Sequence, residues 1–405
     1  MRTYLIFWKA MLRQSVVGSR GYYIWLLILL FFIALGVVGY IQQLRHGLIV
    51  TNLSDQVSWG AYISNFAFVV GIAAAAVMLV IPAYVYKLKS VKKIVLVGEL
   101  LAVAAIIVAL LFVVVDMGRP DRLWHLLPIW GRVNWPQSML GWDVIVLNGY
   151  LLLNFHIPAY ELYKKYTGHP PSDLYYKPFI VISIFWAVFL LLVEAFLYVG
   201  LGGRPHWNAA ILAPRFFTAA FSVGPAFIIL TLQLLDKYTH LDVEQEVYLV
   251  LKRIVAVALL FHLILLVAEV FKEFYTDSTH GESARYLYFG LHGYHGLVPF
   301  IWTAIALNVF ATLSFAIPKF SRNMVLINIA AVAAFIGIWI EKGMGLIVPG
   351  FIPTPLGDIV EYFPSWIELQ ICVGIWATGL LLFTLFLKAA IPIETGALRL
   401  KNLKS

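Results

Sequence analysis

Long apolar runs, each broken by a short cluster of charged, glycine and proline positions, set the rhythm of this chain. A hydrocarbon core about 30 Å thick takes roughly 20 apolar residues of helix. Ten stretches reach that length: 22–41, 59–86, 94–115, 138–160, 178–201, 212–235, 247–271, 287–317, 323–342 and 366–391. The pattern predicts an all-α polytopic membrane protein of about ten transmembrane helices. Residues 1–21, with Tyr4, Phe7, Trp8 and Met11 among basic positions, read as an interfacial amphipathic segment. Residues 22–392 then form the membrane domain and 393–405 a cytoplasmic tail. A faint repeat places Trp59, Trp207 and Trp366 at the starts of helices, each followed by an apolar run containing Gly or Pro. It predicts two four-helix bundles, 59–201 and 207–342, plus flanking helices. Tryptophan at such a level reads first as an interface anchor.

Composition agrees: 62% of the 405 residues are hydrophobic and 12% charged, where a soluble domain is about 25% charged. The charge adds orientation. Of 29 basic residues, 20 fall on the termini and on one set of loops, so the positive-inside rule places both termini in the cytoplasm. The net charge of +8 then reads as basic loops facing anionic lipid rather than as a nucleic-acid surface. The single cysteine, Cys372, excludes a disulfide framework, a cysteine-ligated iron–sulfur cluster and a thiolate zinc site.

The opposite, outer face holds the irregular connections, 116–137, 202–211, 272–286 and 343–365. Asp116-Met117-Gly118-Arg119-Pro120 stops an entirely apolar helix there, and its Asp and Arg are spaced to meet on one face. A helix stop with a local ion pair is the plain reading. The stretch from Gly343 to Leu356 is too apolar for water and too rich in proline to span. It reads as dipping into the interface or as covered by a partner.

Ionisable groups inside apolar segments are costly and generally face a cavity or a partner. His46, Asn65, Asp116, Arg119 and Asp143 fall in the outer half of the first bundle. Glu194, Arg215, Glu269, His292 and His295 fall at similar depth further on, and Glu99 lies toward the cytoplasmic side. Each has a structural alternative as a clasp between helices; Glu194 and Arg215 are a candidate pair. Haem b needs two histidines at matching depth. Only His262 is deep and His156 lies near an inner helix end, so no haem is expected. His292 and His295 have ligand spacing, yet a helix-start cap or a solvated pair is the favoured reading, and no metal is expected. A quinone head group fits better. Asn65 and Arg119 would orient its oxygens, Asp116 or Asp143 would take protons, and Trp59 and Tyr62 would wall the site. Glu194, Glu269 and Glu99 are candidates for a proton path. A secondary transporter would need helices broken at mid-depth, for which Pro225 is the only candidate. A purely structural anchor subunit is the remaining alternative.

Trp59-Gly60-Ala61-Tyr62-Ile63, Asp116-Met117-Gly118-Arg119-Pro120, His206-Trp207 with Pro214-Arg215-Phe216-Phe217, and Phe363-Pro364-Ser365-Trp366-Ile367-Glu368-Leu369 follow one another in order. Together they resemble the NrfD/PsrC family, haem-free membrane subunits that exchange electrons between quinone and an iron–sulfur protein. Gly98-Glu99-Leu100-Leu101, Ile211-Leu212-Ala213-Pro214 and Gly350-Phe351-Ile352-Pro353 look like its DsrP branch, from the DsrMKJOP complex associated with sulfite reduction. The resemblance implies menaquinone as exchangeable substrate in an anaerobic sulfur metabolism. It implies as partners an extracytoplasmic ferredoxin-like iron–sulfur subunit (DsrO-like) and a multihaem cytochrome c (DsrJ-like). A haem b membrane subunit (DsrM-like) and an iron–sulfur subunit (DsrK-like) complete the set. Asn65 and Asp116 match family positions that line the quinone pocket, and Arg119 belongs to the same motif. Relatives often carry histidine where this chain has Val69 and, around helix 5, Glu194; His46 is then a substitute donor.

Overall fold

The computed structural model describes residues 2–74, 76–127, 130–131, 133–239, 241–275 and 281–400, with the side chain of residue 2 excepted. Among these described residues a surface helix α1 (Arg2–Val16) precedes ten helices long and apolar enough to cross a membrane. These are α2 (Arg20–His46), α3 (Ala61–Val85), α4 (Val95–Asp116), α5 (Met139–Thr167), α6 (Asp173–Val199), α7 (Leu212–Tyr238), α8 (Gln245–Tyr275), α9 (Val298–Ala316), α10 (Met324–Lys342) and α11 (Trp366–Glu394). The fold is all-α and the protein is a multi-pass membrane protein. Helix starts are set by side chains that accept from the otherwise unpaired first amides. Ser19 and Ser138 begin α2 and α5, Asn323 begins α10, and Ser365 with Glu368 forms a reciprocal capping box on α11.

Helices α3, α4, α5 and α6 pack around one another, and so do α7, α8, α9 and α10. Helix α3 lies between these groups against α7, and residues 61–74 are buried throughout. Helices α2 and α11 form a pair that leans on α4. Leu152, Phe185, Val257 and Phe271 remain exposed, as lipid-facing side chains should be in a protein whose solvent is hydrocarbon.

Three expectations are corrected. The helix predicted over 287–317 begins only at Val298. Positive φ at Gly290, His292 and Gly293 forces a tight turn closed between Leu291 and Tyr294, so His292 and His295 open no helix. The Gly343–Leu356 stretch is packed by this chain as far as Ile352, and only its end, where Pro355 and Leu356 are exposed, is left for an interface or a partner. Met344–Ile347 and Val348–Phe351 continue from α10 as tight helical turns, buried by this chain itself. The Trp207 indole donates to the Leu346 carbonyl at 2.8 Å and covers Gly350, where a Cβ would run into its ring. Trp59 and Trp207, predicted as interface anchors, instead stack on each other at 5.5 Å, with Tyr198 and Phe351 edge-on. Only Trp366 stays exposed. Pro225 lies inside α7 without breaking it, since one helix runs from Leu212 to Tyr238.

Candidate functional site

The end of the molecule away from the termini brings together the close of α2, the start of α3, the close of α4 and the start of α11. Gln43 on α2 is the hinge-pin of this corner. Its amide donates to the Val115 carbonyl at 2.6 Å, and its carbonyl accepts from the Tyr62 hydroxyl at 2.7 Å. Val115 precedes Asp116, where α4 ends because Met117 turns extended ahead of Gly118 and Pro120. Asp116 is half-buried, and its Oδ1 is buried with no hydrogen-bond partner. Its charged neighbour is Glu368, which is fully buried and saturated. Glu368 accepts from the Tyr362 hydroxyl and from the amides of Asn52 (2.9 Å) and Ser365 (2.8 Å). Tyr362 in turn accepts from the Ala61 amide at 2.9 Å. A buried carboxylate oxygen without a donor is rare in a native fold and marks a place where a ligand or water belongs.

Asn65 is buried at the same corner but saturated. Its Oδ1 accepts the indole N–H groups of Trp339 (3.0 Å) and Trp376 (2.9 Å), and its amide donates to the Ala61 carbonyl at 2.8 Å. It ties α3 to α10 and α11. One turn further, Val69 lines an apolar cavity of about 40 Å³ with Leu101, Val108, Phe227, Trp376 and Phe383. Arg119 does not meet Asp116. It is exposed and grips Asp121 through two bonds of 2.9 and 3.0 Å. Those two charges hold each other, which lowers the Asp121 pKa from its ordinary value. The break at Met117 swings the Arg off the helix face that the spacing presupposed. His46 is exposed at the end of α2.

Asp143 on α5 is 1% exposed, and its Oδ1 also lacks a partner. Glu194 on α6 is its charged neighbour. The predicted Glu194–Arg215 pair is absent: Glu194 binds Lys342 at 3.2 Å. The Lys342 ammonium also donates to the Ala67 carbonyl (2.5 Å) and lies 3.9 Å from the Phe216 ring centre. The preceding residue, Glu341, serves the other helix group. It accepts from Arg215 (2.5 Å) and Asn308 (2.9 Å), with the His262 Nε2 at 3.0 Å. Arg215 pairs in addition with Glu269. A cavity of about 10 Å³ lies among Arg215, His262, Glu341 and Lys342, room for about one water. Outside the spans, burial and then the charges of Arg215 and Lys272 push the His206 imidazole down to about 4. It is therefore neutral near pH 7 and brings no further cation to this cluster.

The structure thus joins Glu194 and Glu269 through the consecutive pair Glu341–Lys342. Glu99 stands apart, about 25 Å of helix rise from Asp116, with Glu161, Lys165 and Glu394 as charged neighbours. Gln43, Tyr362 and Glu368, and the Glu341–Lys342 pair, were not singled out from sequence. Two consecutive opposite charges closing an apolar run look like an interfacial stop; only packing sends one to each helix group. Among the described residues no group of three or more His, Cys, Asp or Glu has metal-binding geometry.

Residues 49–352 match the family described as polysulphide reductase, NrfD. A putative dimethyl sulfoxide reductase membrane subunit of Halobacterium salinarum is 24% identical, over 92% of each chain. The Hdr-like menaquinol oxidoreductase integral membrane subunit of Archaeoglobus fulgidus is 22% identical over 92% of this chain and 95% of its own. The menaquinone reductase integral membrane subunit of Nitratidesulfovibrio vulgaris is 25% identical over 89% of both.

Proposed function

This chain belongs to the NrfD family of polysulphide reductase membrane subunits, and from that membership we propose that it is the quinone-reacting subunit of a multisubunit redox complex in the cytoplasmic membrane. The observation that carries the reading is the buried, partnerless Asp116 Oδ1 beside the Gln43–Tyr62 pair. A quinol hydroxyl is the complementary group: an uncharged donor that reaches the site through lipid. Oxidation of one quinol releases two protons and two electrons. Asp116 takes the proton of the nearer hydroxyl and Asp143 that of the other, the two electrons leave one at a time for the partner's cluster, and Tyr62 and Gln43 fix the ring oxygen. Asn65, held by two indoles, sets the wall rather than contacting the oxygen freely. Trp59 belongs to the aromatic layer beyond it, and Arg119 and His46 are rim groups.

The basic loops support placing both termini in the cytoplasm and this corner at the extracytoplasmic face. The electrons pass from there to a cluster in a docked iron–sulfur subunit. Menaquinone is the substrate we favour, because two relatives carry menaquinol or menaquinone in their names. A DsrMKJOP-like assembly in sulfur metabolism, with DsrO-, DsrJ-, DsrM- and DsrK-like partners, is the finer form of the proposal. It rests on the sequence stretches shared with the DsrP branch.

In the purified complex, Asp116→Asn keeps the shape of the side chain and removes the proton acceptor. Quinol-dependent reduction of the partner clusters should fall about 100-fold, the usual scale for a lost general base. Unchanged reduction would remove Asp116 from the mechanism. The Glu194–Lys342/Glu341–Arg215 chain favours a second reading, in which protons move between the two helix groups as the complex turns over. Proteoliposomes carrying K342M/E194Q test it: acidification unchanged beyond that from quinol chemistry would end this reading.

A further inference from the structure

Helix α5 starts at Met139 and α6 ends at Val199. The two pack against each other, which brings Asp143 and Tyr198 to the end of the molecule away from the termini. Tyr198 is fully buried. Its ring is wedged edge-on against Trp59 at 6.0 Å, Trp207 at 5.9 Å and Phe216 at 5.9 Å, which fixes the hydroxyl. That hydroxyl has no hydrogen-bond partner, and neither has the Asp143 Oδ1. Its charged neighbours are Glu194, one turn earlier on α6, then Asp143 and Asp116.

A phenol donates its proton and a carboxylate oxygen accepts one, so two such atoms within reach would bond directly. These two do not, and whatever satisfies both must accept from one and donate to the other. We propose that a single water is bound between the Tyr198 hydroxyl and the Asp143 Oδ1, and that Tyr198 positions it to hand Asp143 its proton. Buried polar groups that the chain leaves unpaired are regularly joined by such a water. A cation is the poorer occupant. It needs several oxygens, Glu194 is already paired with Lys342 at 3.2 Å, and among the described residues no group of three or more His, Cys, Asp or Glu could hold a metal. The water binds whatever the protein oxidises, whereas its part in turnover rests on the quinol reading. As the second quinol O–H bond breaks, its proton joins the water oxygen and the water's own proton passes to the Asp143 Oδ1. The electrons leave for the partner's cluster, and the water is regenerated.

Two readouts on the purified complex test this. A cryo-EM map that resolves ordered water should show one peak about 2.8 Å from both the Tyr198 hydroxyl and the Asp143 Oδ1. Tyr198→Phe, which keeps the ring and its packing, should lose that peak. No peak in the wild type, or a peak about 2.4 Å from several oxygens, as a cation would give, would overturn the site. In quinol-dependent reduction of the partner clusters, Y198F should lower kcat about 100-fold, the scale of a misplaced reacting group, with the KM for quinol unchanged. A wild-type kcat in Y198F beside a loss in D116N would overturn the relay and leave the quinol site standing. A raised KM at wild-type kcat would overturn it too, by making Tyr198 a quinone contact. Wild-type rates in both variants would remove the quinol reading itself, and the map alone would then decide the water.

Discussion

Lys342 shows best what single residues do in this fold. Its ammonium is buried at 5% side-chain exposure, with Glu194, a backbone carbonyl and a ring face as its surroundings. Removing one member of a buried ion pair leaves the other charge uncompensated, at a cost of about 3–5 kcal/mol. Lys342→Met should therefore lower the unfolding free energy in detergent by about that amount, and K342M/E194Q should recover most of it. A double variant no more stable than K342M would contradict the pairing. The same double variant, stable but without the relay, tests the proton reading in proteoliposomes. Loss of acidification beyond that from quinol chemistry supports it, and unchanged acidification ends it. The carboxylates Asp116, Asp143, Glu194 and Glu269 could be found in the sequence because each interrupts an apolar run. Their partners could not. Glu341 and Lys342 sit where a helix was expected to leave the membrane, and Gln43 lies beyond the apolar run of α2.

At the scale of elements, the apolar runs identified the spanning helices, since hydrocarbon leaves a polar backbone few alternatives to helix. What hydropathy could not give was the turn at 290–297, where Leu and Tyr hide glycines of positive φ. Nor could it give the fate of residues 343–352, which their own chain buries. Pairing between helices was equally hidden. Helices α2 and α11 meet at Gly36 and Gly374, where a Cβ on Gly36 would come within 2.7 Å of the Gly374 Cα. Small residues permit such approach in a membrane. Gly36→Ile should force the pair apart and cost about 1–3 kcal/mol through overpacking, read as a lower midpoint of thermal unfolding. Because α2 also carries Gln43, the same variant should raise the KM for quinol. A wild-type midpoint would show that the two helices do not touch at this glycine pair.

For the whole molecule, two groups of four helices stand side by side, and the sites they hold differ in kind. The second group pairs its carboxylates, Glu269 and Glu341, with Arg215, His262 and Asn308 in one network, and its partnerless buried atoms, Arg215 Nε and Asn308 Oδ1, are not carboxylate oxygens. The first group, with α2 and α11 beside it, leaves carboxylate oxygens of Asp116 and Asp143 without donors. That asymmetry is the reason to seat the quinone at the first group. Sequence placed these carboxylates at one depth; it took the folded chain to separate saturated Asn65 and diverted Arg119 from the open Asp116. Photolabelling the purified complex with an azido-menaquinone tests this most directly. The account predicts labelled peptides around Gln43, Tyr62 and Asp116, with labelling abolished by excess menaquinol. Label confined to the second helix group, or unaffected by menaquinol, would contradict it.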